Sequence, residues 1–326
     1  MASRRILRFI RESLGRIFGS PEESRNLPSQ ISHESIIFHI LLKNPDKLAM
    51  QHSTFSIKQG KYSYFAQLWR PQKVDASLVI VHGQSDHSSR YTHVAEYLCQ
   101  SNIAVVGIDL YGHGKSKGKR GHVPEYEVLL ESVEATLKWT QKEFPNEPSF
   151  LYGHSMGGNI VANYVLRFKP QIRGSILTGP YFRLAFEPSP AKVLLAKSVV
   201  KLMPSMTQAT GLDPNGLSHD TEVVEAYKKD KLVHGMISPV AFLSLVENGE
   251  WAIKNSGRWE GSLLIMHGEE DPITSFDASK EFIANIDRHN QDVTFKAWEG
   301  FYHEIHNELG KEEVLAFLKD WITKRT

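Results

Sequence analysis

The stretch LYGHSMGGNIVANYV, residues 151–165, sets a serine between two glycines where one apolar pattern gives way to another. Phe150, Leu151 and Tyr152 suit a buried strand, whereas Ile160, Val161, Tyr164 and Val165 recur at helical spacing. Between them Gly153, Ser155 and Gly157 fit the G-x-S-x-G pattern of a nucleophile elbow. In such a turn the strand swings so sharply into the helix that Cβ atoms two residues either side of the serine would collide, and glycine removes them. The serine then sits in a strained conformation with its hydroxyl projecting above the sheet. These five residues also suit a plain glycine-rich turn, so the rest of the chain decides.

Working outward, strand and helix signals alternate from about residue 60 onward. Residues 78–81, 103–108, 150–152, 172–177, 263–266 and 293–298 are short apolar runs, most of them patterned for burial on both faces as parallel strands are. Residues 55–58 and 62–69 read as a hairpin around Gln59-Gly60. Tyr126, Leu130, Val133 and Leu137 mark one helix, residues 93–100 another, and Val314, Leu318 and Trp321 the last. This rhythm predicts an α/β fold: a doubly wound, mainly parallel sheet with helices on both faces.

The rhythm breaks between Gly179 and Ser262, where no strand-like run is found. Helical segments are expected there instead, over 191–203, over 221–234 after the potential cap Asp220, and from Ser238-Pro239 onward. An insertion of that size on the carboxyl side of the sheet reads as a cap, over about residues 180–255. Its first segment is unusually apolar and suits either simple packing on the domain or the lining of an acyl pocket.

Composition narrows the function classes. The chain has 326 residues, compatible with one α/β domain with insertions over 51–326 plus an N-terminal extension over 1–50. A formal net charge of +1 carries no polyelectrolyte signal for nucleic acid. Cys99 is the only cysteine, which excludes an internal disulfide and any multi-cysteine metal site.

Ser155 as a nucleophile needs a base, an orienting acid and an oxyanion hole. In this kind of fold the chain order is serine, then Asp or Glu, then histidine. Six histidines follow Ser155, and His303, in the loop EGFYHE after the last strand run, is the best placed. His306 is the second candidate, otherwise a solvent-facing residue near a helix start. The acid is expected after residues 263–266, where HGEEDP offers Glu269, Glu270 and Asp271. Asp271, directly before Pro272, is preferred, with the two glutamates read as solvated loop charges. The backbone N–H of Met156, at a helix N-terminus, and that of Gln84, after His82-Gly83, are the candidate oxyanion donors.

With these residues assembled, the chain resembles the monoacylglycerol lipase and lysophospholipase branch of the α/β-hydrolases, also labelled serine-aminopeptidase-like. The resemblance rests on five ordered segments: HGQSDHSSRY (82–91), DLYGHGKSKGKRG (109–121), GHSMGG (153–158), HGEEDP (267–272) and GFYHE (300–304). It implies a triad of Ser155, Asp271 and His303, with Gln84 and Met156 forming the oxyanion hole. It also implies that Asp109, Gly112, His113, Gly114 and Ser116 brace loops beneath the site. Ser89 and Asp86 stand where the family often has glycine and glutamate. The implied reaction is acyl transfer from a single-chain lipid ester to water, with no metal or organic cofactor. Alternatives are an acyltransferase or a short-chain carboxylesterase using the same triad, a peptidase, or a non-catalytic binding module.

Residues 4–18, RRILRFIRESLGRIF, divide on a helical wheel into an apolar half and an arginine-rich half. A basic amphipathic helix of this kind suits an anionic membrane surface, although docking on the protein and organelle targeting fit the same pattern. The interrupting arginines argue against a secretory signal, so a cytoplasmic, peripherally membrane-bound protein is expected. Residues 19–30 read as a hinge. Each basic residue at an anionic surface adds about 1 kcal/mol of binding, weakened by salt. Deleting residues 1–19 is therefore expected to reduce co-sedimentation with anionic liposomes while leaving hydrolysis of a soluble short-chain ester nearly unchanged. Equal liposome binding by the truncated protein would move the membrane contact elsewhere.

Overall fold

Strands buried at every position must be covered on both faces, and the centre of this protein, Ala76–Val81, Ile103–Ile108, Ser149–His154 and Gly174–Thr178, is built from them. A computed structural model describes residues 50–187, 200, 203–287 and 292–326, and Met50–Thr326 forms one compact unit. The strands are β1 (Met50–Gln59), β2 (Tyr62–Pro71), β3 (Ala76–Val81), β4 (Ile103–Ile108), β5 (Ser149–His154), β6 (Gly174–Thr178), β7 (Gln208–Ala209), β8 (Met236–Ile237), β9 (Ser262–Gly268) and β10 (Val293–Trp298). The helices are α1 (Thr92–Cys99), α2 (Glu127–Glu143), α3 (Met156–Phe168), α4 (Thr221–Lys229), α5 (Pro239–Asn255), α6 (Phe276–Ala284) and α7 (Lys311–Thr323).

Eight strands form one sheet in the order β1-β2-β4-β3-β5-β6-β9-β10. The β1–β2 hairpin and the β2–β4 pairing are antiparallel, and every pairing from β4 to β10 is parallel. Successive side chains divide between the two faces. Val79, Val81, Leu151, Leu177 and Ile265 enter one core with residues of α2, α3, α5 and α6. Leu78, Ile80, Phe150, Ile176 and Leu264 enter the other with residues of α1 and α7. Strand order reverses at β3, which pairs with β4 on one side and β5 on the other. Such a reversal opens a crevice at the carboxyl ends of the two strands, where ligands bind in sheets of this type.

The insertion differs from its sequence pattern in two places, and a third expectation there is not described. The helix expected over 191–203 falls almost entirely outside the described residues. The helix expected over 221–234 is α4 and stops at Lys229, because Asp230 leaves the helical region and its carboxylate accepts the Leu232 N–H at 2.8 Å. Two strands do occur there: β7 and β8 pair antiparallel over two residues each. They are too short to produce a visible alternation. α5 starts at the expected Ser238-Pro239, with Ser238 Oγ accepting the Ala241 N–H at the helix start. It lies along α3, where Asn159 and Asn163 donate to the Leu245 and Asn248 carbonyls.

Two glycines decide whether the β5–α3 turn can close. A Cβ on Gly153 would come within 2.3 Å of the Gly157 carbonyl oxygen, and one on Gly157 within 2.0 Å of the Val81 carbonyl oxygen. The second clash is with β3 rather than across the turn, so Gly157 also sets how closely β3 approaches the elbow. Gly157→Ala must displace backbone and is expected to cost about 1–3 kcal/mol in urea unfolding. Gly235→Ala, with nothing within 4 Å of the added carbon, is the control and should stay within about 0.5 kcal/mol of wild type.

Candidate active site

Ser155 sits between β5 and α3 at φ 55, ψ −117, a conformation that costs a non-glycine residue about 1–3 kcal/mol. Backbone bonds hold it there. Its N–H donates to the Thr178 carbonyl at 2.9 Å, and its carbonyl accepts from Asn159 at 3.1 Å and from Tyr181 at 2.9 Å. The loop after β3 runs close by, and a Cβ on Gly83 would lie 3.1 Å from Ser155 Cβ. His82 fixes that loop: buried and neutral, it donates from Nδ1 to the Gly83 carbonyl at 2.7 Å and accepts the Leu110 N–H on Nε2 at 3.0 Å. Gln84 follows, its side chain donating to the Met236 carbonyl at 2.8 Å. Met156 is the first residue of α3.

Asp271 and His303 come together from the loops after β9 and β10. His303 Nδ1 donates to Asp271 Oδ2 at 2.7 Å, which leaves Nε2 as the unprotonated nitrogen of the neutral ring. The carboxylate is fully buried and also accepts the Ile273 and Thr274 N–H groups on Oδ1. Oδ2 has His267 Nε2 at 3.0 Å and Thr274 Oγ1 at 2.7 Å. Burial works against the charge of Asp271, but His303 and His267 override it and hold the carboxyl far below its ordinary range. Burial would likewise depress His303; the Asp271 charge and hydrogen bond outweigh it and leave the imidazole above its usual 6.5. Gly179, after β6 at φ 47, lets the chain pass this pair, since a Cβ there would lie 3.2 Å from His303 Nδ1. Ser155 and His303 line one cavity of about 580 Å³, open mouth included, together with Gly83, Gln84 and Tyr227.

The other sequence assignments fall as follows. Glu269 and Glu270 are exposed. Asp109 is buried and accepts from Ser88 N and Oγ on one oxygen and from Lys115 N on the other. A Cβ on Gly114 would meet that second oxygen at 2.1 Å, which explains the glycine. His306 is the main correction. It is 2% exposed rather than solvent-facing, stacked on Tyr91 at 4.9 Å, and burial beside His154 holds it neutral. The sequence pattern placed it near a helix start, and the tight turn Ile305–Asn307 instead folds it inward.

Several site residues carried no signal in the sequence. His154 packs against His303 with ring centroids 4.7 Å apart, and burial, reinforced by His303, pushes it down to about 3. Glu304 is buried and takes a bidentate pair from Arg90 at 2.6 Å, while Arg90 also reaches Asp86 at 3.0 Å. Arg90 and Glu304 are 214 positions apart, so only folding pairs them. Glu308, also buried, accepts the Tyr302 and His219 N–H groups and thereby ties the insertion to the histidine loop. Glu304 N donates to the Leu217 carbonyl at 2.8 Å along the same seam.

The arginine's removal has a predictable signature. Burial opposes the charge of Glu304 and Arg90 overrides it, holding the carboxyl well below its ordinary value. That contribution to stability is present above the unfolded pKa of about 4.3 and is lost as pH falls through the depressed folded one. Arg90→Ala leaves two carboxylates buried without their cation, expected to cost about 3–5 kcal/mol near neutral pH. In the variant the Glu304 pKa rises instead, so the loss relative to wild type, read by urea unfolding, should be larger at pH 8 than at pH 5.

Known proteins share this architecture. The family model for serine aminopeptidase, S33, matches residues 72–310. An uncharacterized abhydrolase domain-containing protein of Dictyostelium discoideum is 36% identical over 82% of this chain, which spans only 28% of that protein's length. The monoacylglycerol lipase of Mycolicibacterium smegmatis is 31% identical, with 78% of this chain and 91% of that protein aligned. The solved structure of the Paleococcus ferrophilus monoacylglycerol lipase has a TM-score of 0.72 at 28% identity, covering 85% of this chain and 99% of that one.

Proposed function

The chain belongs to the serine aminopeptidase S33 family, an α/β-hydrolase family, and from that premise we propose that it hydrolyses carboxylic esters of single-chain lipids, of the monoacylglycerol or lysophospholipid kind, through an acyl-enzyme. The observation that carries the reading is the cavity that strained Ser155 and His303 line together, His303 itself bonded to buried Asp271. Ser155 Oγ attacks the ester carbonyl while His303 Nε2 takes its proton. The oxyanion is stabilised by the N–H groups of Gln84 and Met156, the latter at a helix N-terminus where the dipole favours negative charge. His303 returns the proton to the leaving alcohol, and water then releases the acid by the same steps in a second round. Asp271 holds the Nδ1–H tautomer and stabilises the imidazolium without taking the proton. Residues 4–18, outside the described residues, are proposed to hold the domain at an anionic membrane surface.

Two measurements test the triad. A fluorophosphonate probe is expected to label the wild type and not Ser155→Ala, and that variant should lose roughly 10³-fold or more in kcat. Undiminished labelling of Ser155→Ala would remove the assignment. The base must be neutral to accept the proton, so kcat/KM is expected to fall as pH drops through the raised His303 pKa, above 6.5. Asp271→Asn removes the charge that raises it; the acid limb should move to lower pH and kcat should fall about 10⁴-fold.

A further inference from the structure

An oxyanion donor has to point at a place that no protein atom fills, so its own N–H cannot be held by a bond within the fold. The backbone N–H of Gln84 meets that condition and donates to no backbone carbonyl among the described residues. The peptide unit that carries it is gripped at its other end, where the Gly83 carbonyl accepts from His82 Nδ1 at 2.7 Å. One anchor leaves a planar unit free to swing about it. On the far side Ser85 stands at φ 63, a left-handed conformation that a non-glycine residue keeps only where its surroundings impose it. The second anchor is the side chain of Gln84 itself. Its Nε2 donates to the Met236 carbonyl at 2.8 Å, from the loop after β3 to the insertion, across 152 positions of sequence.

Met236 is a fixed point. Its strand β8 pairs with β7, and the Ser238 N–H donates to the Gly121 carbonyl at 2.7 Å. Gly121 comes so close that a Cβ there would lie 2.1 Å from the Met236 carbonyl oxygen. The His234 ring, two residues before Met236, packs on His113 at 4.7 Å, and His113 packs on His82 at 5.2 Å. The insertion is thus tied to the same histidine that holds the Gly83 carbonyl. We infer that Gln84 is a positioning residue: its side chain, seated on the Met236 carbonyl, aims the backbone N–H of residue 84 at the oxyanion. One of the two donors is then assembled only with the insertion in place. This role rests on the proposed ester hydrolysis and adds the insertion to the machinery that stabilises its tetrahedral intermediates. Acylation and deacylation both pass through such an intermediate, so a donor displaced by about 1 Å slows both. Binding of the ester before attack draws little on that N–H.

The test replaces Gln84 by methionine in the full-length protein, which keeps an unbranched side chain and the backbone N–H but removes the side-chain donor. With a soluble butyrate ester, kcat and kcat/KM are expected to fall together about 10–100-fold with KM unchanged. An alkyl trifluoromethyl ketone gives the second readout. Ser155 Oγ adds to its carbonyl carbon, the hydroxyl proton passes to His303, and the C=O electron pair becomes an oxyanion. Affinity for the ketone should therefore weaken by the same factor as kcat. Gly121→Ala moves the Met236 carbonyl instead of its partner and should reproduce the loss, and Gln84→Met in that background should cost little more. Thermal melting reports whether each variant folds, and if either does not, the other decides. A raised KM with kcat unchanged would make Gln84 a substrate contact, and unchanged kcat and ketone affinity would make its bond a simple tie between insertion and core. Either result would overturn the inference and leave the proposed esterase standing. A wild type that neither hydrolyses the ester nor binds the ketone would remove both.

Discussion

The Val81 carbonyl oxygen stands where a Cβ on residue 157 would come within 2.0 Å, and much of the site follows from that approach. Because β3 and β5 are paired in parallel with Val81 opposite Gly153, the loop leaving β3 runs alongside the turn leaving β5. The absence of side chains at Gly83 and Gly157 lets the two loops press together, Gly153 lets the β5–α3 turn close on itself, and Ser155 within that turn adopts the left-handed region. The backbone bonds to Thr178, Asn159 and Tyr181 then keep it there. A strained serine is thus a consequence of strand pairing at the point where sheet order reverses. It is not a local property of five residues.

Electrostatics around this turn is settled by burial first and by partners second. His82, His154 and His306 have lost water without gaining an anion that compensates, and all three are held neutral. His303 is equally buried but faces Asp271, and its basicity moves the other way. The same residue type at four neighbouring positions therefore has opposite proton affinities, separated by whether a carboxylate touches the ring. The buried neutral histidines make the fold less stable as pH falls through their unfolded pKa of about 6.5, because the unfolded chain then binds protons that the folded one refuses.

The insertion joins the core through the apolar face of α5 and, beside the site, through polar contacts. Glu308 receives N–H groups from both sides of the seam, Gln84 donates to Met236, and His87 Nε2 lies 3.0 Å from the Asp230 carboxylate. Arg90 reaches across to Tyr227. Such contacts are directional, so they fix where the insertion sits over the cavity as well as that it sits there. Asp86 and Glu304 hold the arginine that packs over Tyr227 in the same seam.

The parallel sheet, its hairpin, the glycine-flanked serine and the chain order of Ser155, Asp271 and His303 could all be read from the sequence. Each is written in local spacing: apolar runs make buried strands, and glycines at fixed offsets make a sharp turn. Strand ends shifted by a residue or two where a local bond intervened, as at β6, which begins at Gly174 after the Ile172 N–H turns back to Pro170. What tertiary structure alone decided is which polar residues face one another. Nothing near Glu304 indicates Arg90, and His306 looked exposed until a turn carried it inward. The physical reason is range. Periodicity and turn chemistry act over a few residues, whereas a buried charge is stable only beside a partner that the whole fold has to deliver.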